Sequence, residues 1–157
     1  MKPTAKSFEI KQLGKEDLAM FKSLVSMFNT VFEEEDPTIG SDANSLKLLG
    51  SPSFIALAAV SENKVLGGLT AYELPIVYSD MSEILLYDMA VQSEYQRMGI
   101  GKGLIQSLKE YCLKHGIKEF FVMAHEEDQH AIEFYYATGG KSEKVVNFLY
   151  QTVEEKE

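Results

Sequence analysis

Residues 82–103 read SEILLYDMAVQSEYQRMGIGKG, and this stretch decides the fold. Its first half, Glu83 to Val91, is a near-continuous apolar run of the kind that forms a central strand buried on both faces. Tyr87 and Asp88 interrupt it and require a reason. The second half sets Gln96-Arg97-Met98-Gly99-Ile100-Gly101 directly before a helix that runs to about His115 and closes on Gly116 as a left-handed cap. Strand, glycine loop and helix in that order present backbone N–H groups at a helix amino terminus, where unsatisfied donors and the helix dipole favour an anion such as a pyrophosphate. Gly99 and Gly101 have no side chain to block phosphate oxygens, and Arg97 and Lys102 add positive charge. The same glycines, with Gly103, would equally serve close packing of the helix on a strand. The loop lacks the Gly-Lys-Ser/Thr of a nucleoside triphosphate site. Dinucleotide folds place their glycine loop after the first strand, and this one follows the fourth, so ATP and NAD are set aside.

Working outward, alternation in Phe8, Ile10 and Leu13 predicts a first strand, and Asp17 to Phe32 carries apolar residues at helical spacing. Leu18, Phe21, Leu24, Val25, Phe28 and Phe32 form the expected buried stripe. The acidic run Glu33 to Asp36, stopped by Pro37, reads as a charged turn or helix end, and a short helix is expected from Asp42 to Leu49. Ser53 to Ser61 and Val65 to Leu74 read as antiparallel strands joined by Glu62-Asn63-Lys64. Beyond the central helix, Glu119 to Ala124 predicts a strand, Gln129 to Thr138 a helix ending at Gly139-Gly140, and Val145 to Val153 a final strand.

The chain of 157 residues fits a single domain over 1–157, with 45% apolar and 25% charged residues. Fifteen basic against 24 acidic residues give a net charge of -9, which repels phosphate backbones and anionic membranes and attracts cations. Nucleic acid and membrane are therefore not expected partners. The one cysteine, Cys112, has no disulfide mate, and no Cys/His spacing suits zinc; His125 and His130, five apart, do not share a helical face. No metal is expected. The opening MKPTAKSFEIKQLG lacks the apolar core of a signal peptide, and the longest apolar run, Phe54 to Val60, is too short for a membrane span, so a cytoplasmic setting is expected.

The loop QRMGIG resembles the acetyl-CoA signature Gln/Arg-x-x-Gly-x-Gly/Ala of the GCN5-related N-acetyltransferase (GNAT) superfamily, matching it at every defined position. A second family mark, Ala-x-x-Phe/Leu-Tyr-x-x-x-Gly, is matched by Ala131 to Gly139. The resemblance implies an α/β fold, α+β in some schemes. Its mixed, mostly antiparallel sheet would have about six to seven strands, be flanked by about four helices, and splay at the cofactor-binding strand. Within the superfamily, SPSFIALAAVSENKVLGGLTAYELP and SEILLYDMAVQSEYQRMGIG resemble type I aminoglycoside 3-N-acetyltransferases over roughly residues 53–140. The sequence departs at Ala137, where lysine is common, at Gly140, where a large apolar residue is usual, and along the carboxy-terminal tail.

That resemblance implies direct acetyl transfer from acetyl-CoA to an amine, foremost the 3-amino group of an aminoglycoside antibiotic such as gentamicin. Main-chain groups of Met89, Ala90 and Val91 would align the pantetheine arm, with the Met89 N–H on the thioester oxygen, and Gln96, Arg97, Met98, Gly99, Ile100, Gly101 and Lys102 would hold the pyrophosphate. Tyr135 matches the family tyrosine beside the cofactor sulfur and is the expected general acid; the plain alternative is that Phe134, Tyr135 and Tyr136 only pack their helix. Asp88, a carboxylate in an apolar strand, must face water or a cation, and is the expected base or anchor for the substrate amine; its alternative is a salt bridge to Arg97 or Lys102. Glu83, Tyr87, Glu126 and Asp128 complete the expected substrate site, whereas most of the Glu33 to Asp36 run is discounted as solvated surface. Cys112, in register with Leu104 and Leu108, faces the core and is not an acyl carrier. A homodimer is the family habit. Competing readings are a polyamine or protein amino-terminal acetyltransferase, and a non-catalytic acyl-CoA-binding domain that would have no use for Tyr135 or Asp88.

Overall fold

Side chains alternate in Phe54–Ser61 (β2) and Lys64–Pro75 (β3), and the two strands pair antiparallel through a turn at Glu62 and Asn63. Both turn residues have positive φ, 50° and 62°, the conformation that matches a two-residue turn to the twist of its strands. Lys64 thus belongs to β3, one residue earlier than the spacing predicts. The computed structural model describes residues 7–153. Around this hairpin, Glu9–Gln12 (β1) joins β2, and Ser82–Val91 (β4) joins β3, all antiparallel; Phe120–Val122 (β5) runs parallel to β4. The sheet order is β1-β2-β3-β4-β5, mixed and mostly antiparallel, as expected, with five strands among the described residues.

Helices cover both faces. Leu18–Val31 (α1) and Asp42–Leu49 (α2) share a core with Phe54, Ala56, Ala58 and Val60, alternate residues of β2. The intervening Ile55, Leu57 and Ala59 point the other way by the period of two, to the face that Ile100–Lys114 (α3) covers with Ile100, Leu104, Leu108 and Cys112. In α1 the stripe is Phe21, Leu24, Met27 and Phe28; Phe32, expected inside, is 44% exposed because the helix stops at Val31. The Ser41 hydroxyl accepts the Asn44 N–H at 3.1 Å to start α2. Ahead of α1, Asp17 accepts the Gly14 N–H at 2.9 Å and the Lys11 ammonium at 2.7 Å. Both contacts hold its carboxyl below the usual carboxylate range. Gly116, at φ +68°, turns the chain out of α3 as expected.

The chain divides into two compact units between Met123 and Ala124. The second contains Gln129–Ala137 (α4), started by Asp128, whose carboxylate accepts the Ala131 N–H at 3.1 Å. The expected strand over Val145 to Val153 does not form. Phe148, Leu149 and Tyr150 are 76%, 80% and 86% exposed, because β propensity yields a strand only where a neighbour supplies hydrogen bonds. The central strand also departs from expectation. In β4 only Ile84, Leu86 and Ala90 are fully buried, and Tyr87 is 63% exposed, since β5 accompanies only its first half.

Leu24, fully buried in α1, sits where a Cβ on Gly68 of β3 would overlap its Cδ1 and the Leu57 carbonyl oxygen. Leu24→Ala is expected to cost about 2–5 kcal/mol by leaving a cavity, and Gly68→Ala about 1–3 kcal/mol by overpacking. The double mutant should lose measurably less than the sum, which urea denaturation of all four proteins reads directly; strict additivity would show that α1 does not close on Gly68.

Candidate functional site

The register of β3 against β4 slips at one place. Thr70 pairs with Asp88 and Ala71 with Leu86, leaving Tyr87 as an extra residue in β4. Such a bulge bends its strand and increases the local twist. Pairing with β5 ends at the same point, the last partners being Leu86 and Val122. The expected splay is thus present, and it starts at Tyr87, two residues ahead of Met89.

Beyond the bulge the alternation of backbone groups can be followed. The Gln92 N–H donates to Leu66 O at 2.9 Å, so Gln92 faces β3. Val91 faces the opposite side, where its carbonyl accepts from Gln96 Nε2 at 3.1 Å. By the period of two, the Met89 N–H and C=O point the same way as those of Val91, toward the edge that β5 has left. That edge offers an extended ligand the hydrogen bonds of a missing strand.

The same edge leads to the glycine loop. Arg97 takes φ +63° and Gly99 φ +83°, and together they curl the chain into a concave run before α3. The first helical bond is Gly103 N–H to Gly99 O at 2.9 Å, so the N–H groups of Ile100, Gly101 and Lys102 have no acceptor one turn back. A Cβ on Gly99 would meet nothing within 4 Å, which leaves the mouth of the loop open. An anion of pyrophosphate size fits these donors and this charge.

On the α1 and α2 side of the sheet lies a cavity of about 280 Å³, with Asp88, Thr70, Tyr72, Phe28, Phe54 and Glu34 in its walls. The buried Thr70 hydroxyl donates to Asp88 Oδ2 at 2.6 Å, so the partner of Asp88 is this hydroxyl, and the alternative of a salt bridge to Arg97 or Lys102 is not realised. Tyr72 packs edge-on to Tyr87, centroids 5.7 Å apart, and tilts over Phe54 at 5.3 Å. Partial burial and then the Asp88 charge push the Tyr72 phenol up. A carboxylate held by a neutral donor in an aromatic wall is suited to a cation.

The other expected site residues divide. Tyr87 reaches the cavity only through its contact with Tyr72. Glu83 pairs with Leu74 near the β3–β4 turn and does not line the cavity, because four residues of extended strand separate it from Asp88. In the second unit Asp128 is the α4 cap, and Glu126 offers its carbonyl to Gln129 Nε2 at 3.1 Å. Tyr135 is half-buried there, its ring edge-on to Phe134; burial and then the Asp128 charge push its phenol above the ordinary value. Tyr136 is exposed and hydrogen-bonded to the Ser142 hydroxyl, which distinguishes the two tyrosines. Cys112 is buried as expected, and burial followed by the Glu73 charge pushes its thiol up, away from nucleophilic thiolate. Thr70 and Tyr72 are not among the expected site residues, because they lie on β3 at positions that read only as strand, and Glu34 is one of the acids weighed for a polycation cleft and then mostly discounted.

Residues 19–139 match the family model described as the acetyltransferase (GNAT) family. An aminoglycoside acetyltransferase from an uncultured soil metagenomic sample, solved in complex with sisomicin, is 35% identical, covering 94% of this chain and 97% of that one at a TM-score of 0.89. A second from an uncultured soil metagenomic sample is also 35% identical, covering 94% and 99% at 0.89. An aminoglycoside N-acetyltransferase solved with CoA, at 16% identity and TM-score 0.78 over 98% and 100% of the chains, shares the fold.

Because Thr70 is buried and its hydroxyl serves Asp88, Thr70→Val should lower stability by about 1–3 kcal/mol, and Thr70→Ser by clearly less. In an Asp88→Ala background the Thr70→Val cost should shrink, a coupling that chemical denaturation of the cycle measures.

Proposed function

This chain belongs to the acetyltransferase (GNAT) family and is an acyltransferase, and from that premise we propose that it moves the acetyl group of acetyl-CoA directly to the 3-amino group of an aminoglycoside. The observation that carries the reading is Asp88. It is fixed by Thr70 at the bulge of β4, in the wall of an aromatic cavity, beside the strand edge where Met89 and Val91 turn their main-chain groups outward. The two soil aminoglycoside acetyltransferases at 35% identity support the substrate class.

In this reading Met89, Ala90 and Val91 receive the pantetheine arm as an added strand. The loop from Gln96 to Lys102 takes the pyrophosphate on the free N–H groups of α3, with Arg97 and Lys102 as counter-charges. The substrate enters as an ammonium ion, and Asp88 anchors it and accepts its proton, directly or through water, freeing the lone pair. Attack forms the N–C bond while the Met89 N–H holds the developing oxyanion, and the C–S bond then breaks. Tyr135, assigned by its match to the family tyrosine, gives its proton to the departing thiolate, and the second proton that the nitrogen sheds as the amide forms returns through water to the phenolate; the raised pKa keeps the phenol protonated at neutral pH and into the alkaline range. The buried Cys112 carries no acyl group, which favours transfer within a ternary complex. The reading extends to a cytoplasmic homodimer, and the net charge of -9 supports a small cationic substrate over nucleic acid or an anionic membrane as partner. The exposed apolar residues of 145–150 are the surface a dimer would cover.

Acetyl-CoA turnover across sisomicin, gentamicin, spermidine and amino-terminal peptides tests the reading, with NMR of the product locating the acetyl group. Aminoglycosides acetylated at the 3-amine are the expected outcome; preferred turnover of spermidine or peptide, or CoA binding with no turnover, overturns it. Asp88→Asn should keep CoA affinity and sharply reduce aminoglycoside turnover. Tyr135→Phe should lower turnover by about 10- to 1000-fold at little cost in acetyl-CoA affinity.

A further inference from the structure

Four consecutive acids, Glu33 to Asp36, follow α1, and the backbone sends two of them to different places. The Phe32 N–H closes the helix on Phe28 O at 2.9 Å, and Glu33 then takes φ +54°, a left-handed conformation uncommon outside glycine and asparagine. The Glu34 N–H turns back to Asn29 O at 3.0 Å, and Asn29 Nδ2 donates to Thr38 O at 2.8 Å, so the α1–α2 connection is tied twice to one residue of α1. As a result Glu33 lines a separate cleft with Gln92 and Glu94, whereas Glu34 lines the cavity that holds Asp88. The cavity therefore has one acidic residue, Asp88, on the wall built by β3 and β4 and another, Glu34, on the wall built by the α1–α2 connection. Phe28 and Phe32 also line it, stacked at 5.7 Å with an interplanar angle of 12°.

We propose that Glu34 is a specificity-determining residue: it takes a second ammonium group of the substrate while Asp88 receives the reacting amine. The inference rests on the aminoglycoside reading and deepens it. A single carboxylate accepts any amine that fits, but two on walls of different origin favour a molecule with cations spaced across the cavity and disfavour a monoamine, which leaves one carboxylate unpaired. The left-handed conformation at Glu33 falls at the turn that brings Glu34 to the cavity, where retained strain is consistent with a positioning role.

Steady-state kinetics and calorimetry on the CoA-bound protein, with sisomicin and cyclohexylamine as probes, test the assignment in wild type, Glu34→Gln, Glu34→Asp and Glu35→Gln. The expected result is a rise of about tenfold in the sisomicin KM and Kd for Glu34→Gln, with kcat changed far less. That difference should shrink as salt rises, recover partly in Glu34→Asp and be much smaller for cyclohexylamine. Equal effects of Glu34→Gln and Glu35→Gln would mean a diffuse acidic field and overturn the assignment, as would an unchanged KM in Glu34→Gln. Wild type that binds no sisomicin at all would overturn the aminoglycoside reading together with this inference, whereas wild type that binds it and a Glu34→Gln variant that binds equally well would overturn this inference alone.

Discussion

One extra residue in β4 governs the rest of the site. With Tyr87 inserted opposite the Thr70–Ala71 step, the strand bends, its pairing with β5 ends at Leu86, and Asp88 comes into register with Thr70. A regular ladder would have kept β4 between two hydrogen-bonded neighbours and closed the edge at Met89 and Val91. The bulge gives up ladder bonds on one side, and the buried hydroxyl of Thr70 offsets part of that loss by fixing the carboxylate the bend exposes.

Two adjacent glycines of β3 let helices approach the sheet from opposite sides at this level. A Cβ on Gly67 would lie 2.9 Å from Ala90 O and 3.2 Å from Ile100 Cγ2, and one on Gly68 would overlap Leu24. Close approach of α3 at Gly67 brings the amino terminus of that helix, with its free N–H groups, to the end of β4. Close approach of α1 at Gly68 sets the cavity wall that Phe28 and the α1–α2 connection complete. The open amino terminus of α3 and the cavity that holds Asp88 are thus positioned by the same pair of residues, one on each face of the sheet.

Charge is divided accordingly. The protein is acidic overall, yet Arg97 and Lys102 flank the loop at the start of α3, while Asp88 and Glu34 line the cavity on the other face. In the proposed reading, an anionic acyl donor and a cationic acceptor approach from opposite faces of the sheet and meet at the open edge of β4. This separation limits the mutual neutralisation that oppositely charged side chains would suffer if crowded into one cleft.

Much of this was set by local sequence. The helix starts, the left-handed Gly116, the β2–β3 hairpin and the glycine loop before α3 depend on residues near one another in the chain, and each formed about where the pattern placed it. Asp88 was also legible, because a carboxylate in an apolar strand needs a reason wherever it lies. Tertiary structure alone decided the rest. Thr70 reads as an ordinary strand threonine until the register across β3 and β4 sets it opposite Asp88, and Glu34 is indistinguishable from Glu33 until a left-handed turn sends them to different clefts. Residues 145–153 carry every mark of a strand and do not form one, while Phe32 continues the apolar stripe of a helix that has already ended. Local conformation is governed by each residue's own sterics and near neighbours, but register, strand pairing and the direction of a loop side chain depend on partners distant in sequence, which no local pattern contains.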